Sequence, residues 1–199
     1  MWVDGAKYVG DWVDGKSEGH GIFYHINGDI YEGEFKYGSA NGAGVYHHFN
    51  GSKYEGAFKN DIKEGFGKET WEDGSYYEGN FKEGQKHGHG QYVWADESSY
   101  VGTWVNNNIS GFGTYKWPDG RCYEGCWKEN KMNGKGMYAW ADGRKYDGFY
   151  NDDLKEGYGV YTWPDGRKYD GYWLGGKQHG EGRFTNGKGK SRLGLWENG

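Results

Sequence analysis

The sequence holds only two prolines in 199 residues, which excludes collagen and polyproline helices. It has two cysteines, Cys122 and Cys126, too few for a disulfide framework. Aliphatic residues are scarce: the hydrophobic class reaches 34% and aromatics alone supply 20%, so no thick Leu/Ile/Val core can form. No apolar run approaches the ~18 residues of a membrane-spanning helix. The opening MWVDGAKYVG lacks the basic start and hydrophobic stretch of a secretory signal. The expectation is a cytoplasmic protein. A net charge of −5 gives no general attraction for nucleic acid. The charge is unevenly spread: residues 1–100 carry 9 basic and 17 acidic groups, and residues 101–199 carry 15 and 12.

What is present is glycine and aromatic rings. Glycine fills 40 of 199 positions, against a usual share of roughly 7%. A chain this polar could be disordered, but disordered chains are poor in aromatics, and this one carries 11 Trp, 19 Tyr and 9 Phe.

Both excesses come from one repeat. A Tyr-x-Gly triplet begins at Tyr8, Tyr31, Tyr54, Tyr77, Tyr100, Tyr123, Tyr146 and Tyr169, always 23 residues apart, and a ninth copy arrives on schedule as Arg192-Leu193-Gly194. With the Tyr as position 0, position 4 is aromatic in every copy, from Trp12 to Trp196, and positions 11 and 13 are always Gly. Position 15 is aromatic except at Glu69, position 17 is Trp from Trp71 to Trp163, and position 20 is Gly except at Glu97.

Positions 0, 2 and 4 alternate with outward residues, as do 13, 15 and 17, which is the two-residue period of a strand. Each repeat reads as two short strands in a hairpin. Position 7 is always Gly, Asn or Asp, residues that tolerate positive φ in a tight turn. The second turn, as in Trp117-Pro118-Asp119-Gly120, has the composition of a short hairpin loop. The expected fold is all-β: an elongated single-layer antiparallel meander, a solenoid with two strands per 23-residue repeat and no helix. At ~4.8 Å per strand it would extend on the order of 80 Å.

The pattern Tyr-Glu-Gly-x-(Phe/Trp) followed by Gly-x-Gly-x-Tyr-x-Trp-Pro-Asp-Gly resembles the MORN (membrane occupation and recognition nexus) repeat, and the resemblance covers essentially all of residues 1–199. It is most like the cytoskeletal scaffold proteins of this family in protists. Glu69, Glu97, His25, His48, Asn186 and Arg192 depart from the pattern and predict a looser array near the second and fourth repeats and an atypical last one. Trp2 and Gly5 fit positions 17 and 20 of a repeat whose first half is absent. With no polar cap at either end, residues 1–199 read as one continuous array of about eight and a half repeats, a fragment of a longer one.

The repeat leaves no catalytic constellation. The Gly-x-Gly pairs recur with no helix following, so they are not phosphate loops. Cys122 and Cys126 lie four residues apart, roughly 13 Å along a strand, too far for a disulfide or for one metal ion without a bend. A metal would need ligands from a neighbouring strand or chain. The expectation is a non-enzymatic protein with no cofactor and no bound metal.

Three surfaces are candidates for binding. Position 3 turns apolar toward the C-terminus as Cys126, Phe149, Tyr172 and Leu195, joined by Met137 and Val160 on intervening strands. An exposed apolar stripe marks an interface, and two-fold pairing is the commonest assembly, so homodimerisation through the C-terminal repeats is the specific expectation. An inner aromatic groove would comprise Trp71, Trp94, Trp117, Trp140 and Trp163 with Tyr123, Tyr146 and Tyr169. The family resemblance implies that such a groove takes cytoskeletal or helical protein segments. Third, the basic residues Lys177, Arg183, Lys188, Lys190 and Arg192 could contact phospholipid headgroups. The resemblance implies a scaffold of cytoskeletal or membrane-associated assemblies; the alternative is a peripheral phospholipid-binding or targeting module.

Overall fold

The computed structural model describes residues 5–199, so Trp2 lies outside the described residues. Strands follow one another along the chain, and no helix occurs among the described residues: β1 (Lys7–Val13), β2 (Lys16–Tyr24), β3 (Ile30–Lys36), β4 (Ser39–His47), β5 (Lys53–Lys59), β6 (Ile62–Thr70), β7 (Tyr76–Lys82) and β8 (Gln85–Val93). Then come β9 (Ser99–Val105), β10 (Asn108–Lys116), β11 (Cys122–Lys128), β12 (Lys131–Ala139), β13 (Lys145–Asn151), β14 (Leu154–Thr162), β15 (Lys168–Leu174), β16 (Lys177–Thr185) and β17 (Ser191–Trp196). The chain forms two compact units. One runs up to Ala95 and takes in Trp104–Asn107; the other is Asp96–Thr103 with Asn108–Gly199. Within each, successive strands pair antiparallel, in the single-layer meander that the two-residue period predicts.

Both turns follow from their residues. In the turn after the first strand of each repeat, two residues have positive φ, as in Glu129 (48°) with Asn130 (66°) and Asp152 (46°) with Asp153 (68°). That is the I′ geometry whose twist suits a hairpin. Asn or Asp at position 7 does more than tolerate it. The backbone N–H of Asn130 donates to the Ile109 carbonyl (2.9 Å), and its side-chain oxygen accepts from the Ile109 N–H (2.8 Å), clasping one repeat to the one before. Asp153 clasps Met132 in the same way (3.0 and 2.8 Å). The second turn is a three-residue loop ending in a glycine at positive φ: Trp117 N–H donates to Arg121 O (3.0 Å) and Gly120, φ 86°, donates to Trp117 O (3.1 Å).

Glu97 holds the same glycine position at φ 68°. A side chain in the left-handed region costs roughly 1–2 kcal/mol, partly offset by the flexibility that glycine adds to the unfolded chain. Glu97→Gly is therefore expected to raise the urea midpoint, by about 1 kcal/mol in stability, with an unchanged m-value.

The expected alternation breaks at the same place in seven of the hairpins. On the I′ side of β11, Gly125 pairs with Gly136 and Trp127 with Met132, so Cys126 alone faces Asn133, Gly134 and Lys135. This bulge turns on Gly134 at φ 93°. It leaves the Cys126 carbonyl outside the ladder, and the Tyr123 hydroxyl arches back to donate to it at 3.0 Å. Every position-0 tyrosine does likewise, for example Tyr31 to Glu34 O (2.9 Å) and Tyr146 to Phe149 O (3.0 Å).

The core is a herringbone of rings. Tyr123 meets Trp127 of its own repeat at 5.0 Å and 88°, and Tyr150 of the next at 5.3 Å and 89°. In the first unit Tyr31 meets Phe35 (5.1 Å) and Phe58 (5.0 Å) in the same manner. Edge-to-face pairs add roughly 0.5–1.5 kcal/mol each beyond area burial, which lets one layer of strands hold without a second.

Candidate functional site

The aromatic face of each unit has two levels. Tyr123, Tyr146 and Tyr169, expected to line a groove, are 0% exposed: they are the floor of the sheet and offer no surface to a partner. Burial raises their phenol pKa values, and pushes that of Tyr100 up to about 12.

Above the floor runs a ladder built from positions 15 and 17. In the second unit Tyr115–Trp117 (4.5 Å), Trp117–Tyr138 (5.3 Å), Tyr138–Trp140 (4.4 Å), Trp140–Tyr161 (5.4 Å) and Tyr161–Trp163 (4.6 Å) form a continuous run. In the first unit Trp71 stacks on Tyr92 (5.3 Å), and Tyr92 meets Trp94 at a tilt (4.5 Å, 32°). The five tryptophans are half-buried and stand just past the strand ends, because each strand stops one residue short of position 17, to which the alternation is expected to carry it. Each of three is capped by an arginine. Arg121 lies 5.2 Å over Trp117, Arg144 5.4 Å over Trp140 and Arg167 5.4 Å over Trp163. In turn Asp119, Asp142 and Asp165 hold these guanidinium groups at 2.7 Å.

A looser array is expected near the second and fourth repeats; the departures His25, His48 and Glu69, in the first, second and third copies, each make regular contacts. His25 and His48 keep the ladder, with Phe23–His25 at 4.6 Å and Tyr46–His48 at 4.6 Å. Glu69 is a counter-ion: its Oε1 sits 2.5 Å from the ammonium of Lys63, with side chains only 15% and 22% exposed.

On the opposite face, Phe149 (48% exposed), Tyr172 (53%) and Leu195 (80%) stand out into solvent, with Cys126 half-buried in line with them. Strand pairing adds Phe112 opposite Cys126 and Tyr158 opposite Tyr172, both exposed. Sequence reasoning misses these two residues at position 12, where they read as spacers between glycines. Met137 and Val160 belong to a neighbouring row and are flanked by carboxylates, Met137 by Glu124 and Asp147, Val160 by Asp147 and Asp170. The basic residues are not all brought together. Lys188, Lys190 and Arg192 share one turn and the strand after it, whereas Lys177 starts β16 at its far end and Arg183 lies between. Cys122 and Cys126 are free thiols, and burial raises the Cys122 pKa.

Compared with known families, the MORN repeat model matches residues 8–30, 31–53, 54–76, 77–99, 100–120, 123–143, 146–166 and 169–191. The chain belongs to the MORN repeat family. The comparison of this MORN array with curated proteins finds no match. Among solved structures it is similar to the wild-type TCP10 domain of Danio rerio CPAP, at 12% identity and TM-score 0.53, covering 98% of this chain and 91% of that one. It is also similar to the same domain in complex with a peptide of Danio rerio STIL, at 12% identity and TM-score 0.52, covering 96% and 90%. At that identity the likeness is one of fold.

Proposed function

We propose that this MORN array is a non-enzymatic cytoplasmic scaffold that homodimerises through its C-terminal repeats and uses its aromatic face to hold protein segments of cytoskeletal or membrane-associated assemblies. The observation that carries this reading is the exposed row of Phe149, Tyr172 and Leu195, lengthened by Phe112 and Tyr158. Large side chains held out in water on a regular sheet gain by being covered. The TCP10 domain of Danio rerio CPAP, on a similar fold, forms a complex with a peptide, which fits the use of such a sheet as a binding platform. The alternative, attachment to phospholipid headgroups, has less support because Lys177 is separated from Lys188 and Lys190.

Light scattering coupled to size-exclusion chromatography tests the dimer. The expected mass is twice 22.7 kDa, falling to the single-chain mass in the double variant Phe149→Glu/Tyr172→Glu with an unchanged circular dichroism spectrum. A monomeric wild type would refute dimerisation.

A further inference from the structure

Position 9 of the repeat points its side chain at the ring ladder, and three copies place a lysine there: Lys63, Lys86 and Lys155. Lys63 is neutralised by Glu69, six residues on at position 15. Lys86 lies in the field of that same carboxylate. Lys155 has no such partner. At position 15 its repeat carries Tyr161, and its ammonium sits among Trp140, Tyr146, Tyr161 and Trp173 at 5.1–5.4 Å. Burial lowers its pKa, and repulsion from Arg144 lowers it further.

Lys155 lines a cavity of about 190 Å³ together with Met132, Tyr138, Trp140, Tyr150 and Leu154. Tyr150 is 5% exposed, and its buried hydroxyl has no hydrogen-bond partner. Burial holds that phenol far above its ordinary pKa, so it remains a donor. Asp153 also borders the cavity, where its Oδ1 accepts the Met132 N–H at 2.8 Å, but it makes no ion pair with Lys155 and does not act on its charge. A lysine without an ion pair and a tyrosine with an unused donor thus line one largely apolar pocket. Leaving either unmatched is costly.

We propose that this cavity is a subsite for a carboxylate of a partner polypeptide, an aspartate or glutamate side chain on a segment laid along the ring ladder of the second unit. A carboxylate offers acceptors to both groups at once, and does from outside what Glu69 does within the third repeat. A polypeptide rather than a free anion fits because rings and aliphatic side chains make up most of the cavity wall and the ladder continues on both sides of it. The proposal rests on the reading of the chain as a protein-binding array, and not on its dimerisation.

The test is selection of phage-displayed random decapeptides on the whole protein and, separately, on Lys155→Met. The wild-type pool is expected to align on one acidic position flanked by apolar residues. A synthetic peptide from that pool should bind at least tenfold more weakly when its acid becomes the amide or when Lys155 becomes Met, and several-fold more weakly to Tyr150→Phe. Tyr161→Glu, which supplies an internal carboxylate, should abolish binding. Peptides that bind with no acidic position, or that ignore Lys155→Met, would overturn the subsite and leave the protein-binding reading intact. Recovery of no peptide at all would overturn both.

Discussion

Gly136→Ala is expected to cost about 3 kcal/mol or more in urea unfolding, although it adds a single methyl group to a surface sheet. Gly136 pairs with Gly125, and the Tyr123 ring lies flat across both on its way to the Cys126 carbonyl. A Cβ on Gly136 would stand 2.5 Å from Tyr123 Cε2 and Cζ; one on Gly125 would stand 2.5 Å from the Gly136 Cα. The ring has no route of retreat, because it is wedged edge-on against Trp127 and Tyr150. Displacing it would open the herringbone and strand the bulged carbonyl without its donor. The control is Gly74→Ala. That glycine has φ 82°, and a Cβ added to it would meet no atom within 4 Å, so only the left-handed strain applies, about 1 kcal/mol. Equal losses in the two variants would mean that close approach is not why positions 2 and 13 are glycine.

That pair of variants also separates what the sequence conveys from what it hides. All-β class, strand pairing and turn placement are legible, because eight copies in phase expose a period of two and mark both turns with Gly, Asn and Asp. The glycines themselves look alike. In Gly134-Lys135-Gly136 the first glycine serves a φ of 93° at the bulge and the second glycine makes room for a ring, yet both spell the same Gly-x-Gly. The bulge is invisible for that reason: a regular strand and a bulged one give the same letters. The full burial of the position-0 tyrosines is hidden too, since a repeat's phase says which face a ring shares but not which ring lies over which. Tyr123 sinks because its hydroxyl has a carbonyl to reach, whereas Tyr138 stays in the upper ladder beside Trp140. Glu69 looks like a defect because comparison among copies rewards agreement. Its meaning needs Lys63, on the same strand and the same face.

The same pairing yields opposite signs for one substitution at two equivalent sites. Lys63→Met is expected to destabilise by about 2 kcal/mol, because it leaves the largely buried carboxylate of Glu69 with only the more distant charge of Lys86 to oppose it. Adding Glu69→Tyr, the residue that position 15 carries in most copies, should restore most of the loss. Lys155→Met is expected to stabilise by about 1–2 kcal/mol at neutral pH, because it removes a desolvated charge that has no counter-ion and leaves a chain of similar length against the same four rings. The gain should depend on pH in a fixed direction. Burial sets the Lys155 pKa in the folded protein below the ordinary value of 10.5, so between those two values the unfolded chain binds more protons than the folded one. Wild-type stability then rises with pH across that window relative to the variant. The charge part of the advantage of Lys155→Met is complete below it and fades as pH climbs to the ordinary lysine value. The buried tyrosines titrate in both proteins and cancel in the difference. Urea midpoints of the two proteins, compared from about pH 7 to the ordinary lysine value of 10.5, read this directly; an advantage that stays constant would mean that Lys155 carries no desolvation penalty.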